Sequence, residues 1–196
     1  EGVGKTTSIA FIEAYFNQHG QDILLTREPG GTPLAEKIRE LLLDARQTSM
    51  ADDTELLLMF AARAQHLKEK IVPALESGQW VICDRFTDAT YAYQGGGRGI
   101  ASSRIASLED WVQGELRPDM TLLLDLPVDL GLKRAGERST PDRFEQEQQA
   151  FFERVRASYL AMAEAEPGRY RIIDASGSID EVQSRIKQVL DELTGT

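Results

Sequence analysis

Ile9, Ile12 and Phe16 fall at helical spacing between Thr6 and about Gln18, and Gly20 stands where a helix C-terminus is commonly capped. The pattern predicts a first helix there. Ile23-Leu24-Leu25-Thr26 is a short apolar run, as expected of a strand buried on both faces, and the turn residues of Arg27-Glu28-Pro29-Gly30-Gly31-Thr32-Pro33 follow it. A second helix is predicted over about 32–45. A long third one is predicted over 52–76, with Asp52, Asp53 and Thr54 as acidic and capping side chains at its start and Gly78 just past its end. Trp80-Val81-Ile82-Cys83, Thr121-Leu122-Leu123-Leu124 and Tyr170-Arg171-Ile172-Ile173 read as further strands. Helices are predicted near 101–115, 128–136, 145–164 and 179–193. Strand and helix alternate, so the expected fold is α/β, a parallel sheet with helices on both faces, in a single domain spanning 1–196.

Charge narrows the partners. With 32 Asp+Glu against 22 Lys+Arg, the formal net charge of −10 disfavours nucleic acid and acidic membrane surfaces. No apolar stretch approaches the roughly 18 residues needed to cross a bilayer, and no leader is recognisable, so the expectation is a soluble, cytoplasmic protein. A single cysteine, Cys83, can form neither an internal disulfide nor a cysteine metal cluster, which suits a reducing compartment and the role of a small buried apolar residue.

The chemistry begins at the first residues. Gly2-Val3-Gly4-Lys5-Thr6 matches the last part of a P-loop, where glycines let backbone N–H groups converge on phosphate oxygens at a helix N-terminus. Lys5 would reach the β- and γ-phosphates, and Thr6 would offer its hydroxyl to Mg2+. Such a loop needs a strand to aim it, so a strand and the loop's first glycine are expected upstream of Glu1. Asp84, where a strand ends and charge appears, is a second candidate ligand for the metal.

Read in order, EGVGKTT, TREPGGT, FAAR, DRFTDATYAYQGGGRG and DRFEQE make the chain resemble bacterial thymidylate kinase over nearly its whole length. The resemblance implies a three-layer P-loop kinase fold whose five-stranded parallel sheet has its first strand outside this sequence. It also implies phosphoryl transfer from ATP to dTMP with Mg2+. Gly2 through Thr7 would bind ATP, with Arg134 on the adenine; the motif residues are Gly2, Val3, Gly4, Lys5, Thr6 and Thr7. Phe60 and Arg63, three apart on one helix, would stack on the pyrimidine and donate to its O4 acceptor. Thr90 and Gln94 resemble the family's residues at the pyrimidine edge, Tyr91 would close against the sugar, and Gly95-Gly96-Gly97 would let backbone approach the nucleotide. Glu1 matches an acidic residue that contacts the 3′-hydroxyl. Arg27 and Arg85 would grip the acceptor monophosphate.

Residues 133–147 mix basic side chains with Gly, Ser and Pro and resemble the family's lid. Because Gly2 follows Glu1 in the loop, the catalytic arginine is expected from the lid, as Arg138 or Arg143, working beside Lys5 and Arg85. No general base is required, since the nucleophile is an anionic phosphate oxygen. Leu56-Leu57-Leu58-Met59 carries more apolar surface than one helix face can bury, and the family is similarly a homodimer, so helix 52–76 is the expected interface. His19 and His66 read as surface residues, Trp80 and Trp111 as core or interface, and the acidic run 145–153 as a solvated helical face. Two rivals stay open on the residues alone: a kinase for another nucleoside monophosphate, and a P-loop switch without an acceptor substrate.

Overall fold

A computed structural model describes residues 2–46, 49–136 and 142–195. Helix α1 (Lys5–Gln18) leads into β1 (Ile23–Arg27) and α2 (Pro33–Leu43). Thr32 caps α2, its hydroxyl accepting from Ala35 N at 3.3 Å, and Pro33 fits the first helical turn, where its missing N–H costs nothing. The long third helix is found over the predicted span but in segments. Helix α3 (Asp52–His66) widens into a π-helical turn over Leu67–Ile71 and continues as α4 (Val72–Glu76). Pro73, which has no N–H to complete the ladder behind it, sits just beyond the widened turn. Asp52 and Asp53 lie in the first turn of α3, but Ala51 is the cap residue and no side chain caps the end, so these acids act on the helix dipole instead.

Strand β2 (Trp80–Asp84) is followed by α5 (Thr87–Thr90), a second π-helical segment (Tyr91–Gly97) and α6 (Ser102–Gln113). Then come β3 (Thr121–Asp125), α7 (Val128–Gly136), α8 (Gln149–Ala165), β4 (Tyr170–Asp174) and α9 (Ile179–Thr194). A reciprocal capping box of Ser178 and Glu181 starts α9, and Gly195 closes it in a left-handed conformation.

Among the described residues the strands form two parallel pairs rather than one sheet. In the first, Leu25 of β1 pairs with Ile82 of β2; in the second, Leu123 of β3 pairs with Ile172 of β4. Between β2 and β3 runs a cavity of about 1060 Å3. Its lower part is apolar, lined by Ile12, Phe16, Ile82, Leu122, Leu124 and Leu190. Its upper part opens at the carboxyl ends of the strands, where the glycine loop, Asp84 and Asp125 lie. Apolar clusters hold the layers: α1 and α9 share Phe16, Ile186 and Leu190, while α8 and the second π-helical segment share Ala92, Tyr93, Phe151 and Val155. No helix of the described residues is long and apolar enough to cross a membrane.

Candidate functional site

The mouth of the cavity is built from loop backbone first. Gly4 caps α1 with φ +82°, and Gly2 takes φ +67° where an added Cβ would run into the carbonyl of Gly131 in α7. Side chains at these positions would block the turn that turns N–H groups toward an anion. Thr6 and Thr7 are exposed at the start of α1. Lys5 Nζ lies 2.8 Å from Asp84 Oδ1, linking the helix to the end of β2. That carboxylate oxygen is shielded from solvent and takes no aligned hydrogen bond among the described residues. A carboxylate at a strand end, already meeting one cation, has the oxygen chemistry a hard metal ion takes. No group of three or more His, Cys, Asp and Glu converges among the described residues. Mg2+ held here would therefore rest on Asp84 together with the oxygens of a bound phosphate.

Arg85, next in the chain, is the one non-glycine residue of the described set with positive φ, at +66°. A strained backbone of this kind persists only where the surroundings impose it. Here the Arg85 guanidinium donates to Tyr93 Oη at 3.1 Å and lies 4.7 Å from that ring. Arg27 and Arg85 both line the cavity, as expected, and Arg39 joins them. Arg39 donates to Pro29 O at 2.9 Å, while Arg27 pairs with Glu36 at 2.9 Å. Burial lowers the Arg39 pKa, and the positive charges of Arg27 and Arg85 push the same way. Three guanidinium groups near enough to repel one another call for an anion. Arg39 was not legible as a site residue, because in sequence it is an ordinary polar position of an amphipathic helix.

The expected base-reading residues divide. Arg63 is only 3% exposed; its Nε donates to Glu28 Oε2 at 2.7 Å and its NH2 to Thr90 Oγ1 at 3.1 Å, while NH1 is buried without a hydrogen-bond partner among the described residues. Phe60, however, belongs to the core with Leu56, Ile100 and Ile105, and the Arg63 guanidinium lies 4.8 Å from its ring. Neither Phe60 nor Arg63 lines the large cavity. The aromatic ring that touches both Arg63 and the cavity is Phe86, 5.3 Å from the guanidinium. Helix geometry explains the difference: Leu56 and Phe60, four apart, share the face that packs on α6.

Tyr91 also departs from expectation. Its hydroxyl donates to Glu109 Oε2 at 2.6 Å and its ring packs with the core of α3 and α6, and it does not line the cavity. Tyr93, two residues on, lines the cavity. Gln94 is buried, its amide donating to Glu55 Oε1 at 2.8 Å. Gly96 and Gly97 belong to the π-helical segment and let α8 approach closely: a Cβ on Gly96 would come within 3.0 Å of Arg154 O, and one on Gly97 would strike the Phe151 ring.

Glu1 and Arg138 lie outside the described residues. Arg134 is held by the carbonyls of Ala175 and Ser176 just past β4, at 3.0 and 3.4 Å. Arg143 is docked away from the glycine loop: NH1 pairs with Glu55 Oε2 at 2.7 Å and Nε donates to Leu42 O at 2.8 Å. Glu55, fully buried, also pairs with Arg98 at 3.2 Å. The acidic run proves heterogeneous, since α8 begins only at Gln149; Glu145 lines the cavity and Glu147 pairs with Arg98. His66, expected at the surface, is completely buried against Glu28. Trp80 packs beside Phe16 as expected of a core residue, whereas Trp111 is 82% exposed.

Comparison with known proteins bears on this arrangement. A family model for thymidylate kinase matches residues 1–186. The chain is 60% identical over 193 residues to a thymidylate kinase of Pseudomonas syringae pv. tomato, covering 98% of this chain and 92% of that one. It is also 60% identical to one of Pseudomonas putida F1, over 97% of this chain and 90% of the other. The fold is similar to the crystal structure of thymidylate kinase from Ehrlichia chaffeensis, with a TM-score of 0.78 at 33% identity over 97% and 94% of the two chains.

Proposed function

The chain belongs to the thymidylate kinase family, and from that premise we propose how its own residues divide the work of the reaction. The enzyme transfers a phosphoryl group from ATP to thymidine 5′-monophosphate, giving the diphosphate. The observation that carries the assignment of roles is the shared cavity mouth, where Arg27, Arg39 and Arg85 stand around the Lys5–Asp84 pair.

In this reading the backbone of Gly2 to Thr6 and the start of α1 cradle the ATP phosphates, and Lys5 neutralises the charge growing on them. Arg27, Arg39 and Arg85 grip the acceptor phosphate and aim its oxygen in line with the donor, which converts a bimolecular encounter into an oriented one. Asp84 at the end of β2 would hold Mg2+, which would supply charge neutralisation for the phosphate oxygens. Thr6 is the second candidate contact. Arg63 reads the pyrimidine through its unpartnered NH1, with Thr90 supporting it and Phe86 as the nearby ring; Tyr93 replaces Tyr91 on the sugar side. Arg134 remains the candidate at the adenine. A lid over 133–147 brings Arg138 or Arg143 to the transferring group, and Arg143 must leave Glu55 to do so.

A fifth parallel strand between β2 and β3 belongs to the same reading, supported by their facing edges across an apolar cavity. The even-numbered positions of β2 already bond toward β1 and the odd-numbered ones of β3 toward β4, so slow amide exchange at Val81 and Leu122 in the intact enzyme tests it, and fast exchange at both counts against it. Homodimerisation is supported by Leu34 and Leu41 on α2 and Leu57 on α3, all half-exposed, and a cytoplasmic setting by the free thiol of Cys83. Light scattering at micromolar concentration tests the dimer, a monomer being the adverse result.

The decisive assay mixes enzyme, ATP and Mg2+ with a panel of nucleoside monophosphates and follows ADP. Preference for dTMP, with deoxyuridine monophosphate poorer for want of the C5 methyl, is expected. Equal turnover of all acceptors, or ADP formed without any, would overturn the reading.

A further inference from the structure

Behind Arg63 lies a buried polar chain that phosphate chemistry does not use. Glu28 Oε2 accepts from Arg63 Nε at 2.7 Å, and Glu28 Oε1 faces His66 Nδ1 at 3.0 Å. His66 Nε2 in turn faces Thr26 Oγ1 at 2.7 Å. Glu28, Arg63, His66, Thr26 and Thr90 are all buried. A carboxylate only accepts, so the ring nitrogen facing it, Nδ1, donates; the threonine hydroxyl serves the other nitrogen as either donor or acceptor. The ring is therefore held at both ends.

The turn above confirms how little freedom remains. Gly31 takes φ +89°, and a Cβ there would fall on the His66 ring and lie 2.8 Å from Thr26 Oγ1. The Gly30-Gly31 turn thus closes over the imidazole. The chain ends on one guanidinium: Glu28 takes Nε, Thr90 takes NH2, and NH1 is left buried without an acceptor among the described residues. An orphaned charged donor in a buried site is costly unless a ligand completes it.

We propose that His66 is a positioning residue for acceptor recognition: through Glu28 it sets the rotation of the Arg63 guanidinium so that NH1 is presented to a carbonyl of the pyrimidine. This rests on the reading of Arg63 given above. The guanidinium is planar, so holding Nε on Glu28 Oε2 and NH2 on Thr90 Oγ1 fixes the direction of the remaining NH1. Freed from His66, that carboxylate can rotate, and the donor aimed at the base rotates with it. His66 never touches the nucleotide; its effect is on binding and base choice, not on the transfer itself.

The test is steady-state kinetics of the intact enzyme with dTMP and deoxycytidine monophosphate as acceptors, comparing His66→Leu, His66→Asn and Arg63→Ala. His66→Leu is expected to raise the KM for dTMP about tenfold, the scale of one mis-set charge-assisted hydrogen bond, and to narrow the preference for dTMP over the cytidine analogue. The KM for ATP stays put. His66→Asn, whose amide can again donate to Glu28, recovers most of both losses. A purely structural role would instead lower the melting temperature or active fraction at unchanged KM and unchanged base preference, and that result overturns the proposal. If Arg63→Ala abolishes base preference while His66→Leu does not, the reading of Arg63 stands and this inference alone falls. If Arg63→Ala leaves preference intact, that reading fails first. Should His66→Leu not fold, Thr26→Val carries the test: it keeps the ring but removes its far anchor, and an unchanged KM for dTMP overturns the proposal.

Discussion

Lys5 Nζ and Asp84 Oδ1 stand 2.8 Å apart, so the cation of the glycine loop and the carboxylate ending β2 neutralise each other at the cavity mouth. Both side chains are partly solvated, which keeps the pair exchangeable rather than locked. A triphosphate with its metal offers each of them a better partner. Lys5→Met is expected to lower kcat about 100- to 1,000-fold with the fold retained, the scale of losing one electrostatic stabiliser. Asp84→Asn should raise the Mg2+ concentration at half-maximal rate. Metal titrations of the two variants check this: an unchanged Mg2+ requirement in Asp84→Asn removes the metal role from that residue.

Arg39 is placed with Arg27 and Arg85, although it lies in mid-helix in the sequence. Arg39→Ala is expected to raise the KM for dTMP tenfold or more, about 1.4 kcal/mol or above, and to leave the KM for ATP nearly unchanged. Initial-rate measurements varying each substrate in turn decide it. A larger effect on ATP would move the three arginines to the donor side.

Tyr91 and Tyr93 lie two residues apart and do different things. Tyr91→Phe loses only the bond to Glu109, so it should cost about 0.5–1.5 kcal/mol in stability with kinetics unaltered. Tyr93→Phe loses the hydroxyl that meets Arg85 and should weaken dTMP binding. Urea unfolding and acceptor KM, measured on both variants, separate the roles.

Gly97 gives a packing prediction. A methyl there meets the Phe151 ring, so Gly97→Ala should destabilise the enzyme by about 1–3 kcal/mol through overpacking between the π-helical segment and α8. A chemical-denaturation midpoint equal to that of the parent would contradict the close approach.

Burial raises the Cys83 thiol pKa, with the negative charge of Glu28 acting in the same direction. The thiolate is the reactive form. At pH 8 its exchange with a chromogenic disulfide is therefore expected to be slow in the folded enzyme and fast in urea, and release of the chromophoric thiolate under both conditions measures the contrast.

Much of this was legible in the chain. The apolar runs located all four described strands, because buried parallel strands need no alternation, and Lys5, Asp84, Arg27 and Arg85 sit at their ends or in the loop by rule. What was illegible depended on rotation and on distant neighbours. The choice between Tyr91 and Tyr93 turns on a π-helical segment whose extra residue per turn changes which side chains share a face. His66 reads as a surface residue until the Gly30-Gly31 turn is seen to cover it. Phe60 reads as a base-stacking ring from its spacing to Arg63, while its packing on Ile105 and Ile100 is a tertiary fact no local pattern carries.

Glu55 receives Arg143 on one oxygen and Gln94 on the other, with Arg98 reaching both. Any excursion of Arg143 toward a bound triphosphate withdraws one of two guanidinium counter-ions from a carboxylate that has no solvent to replace it. The segment 142–147 is therefore tied to α3 by a buried charge pair, and undoing that tie is costly unless another anion takes up the arginine.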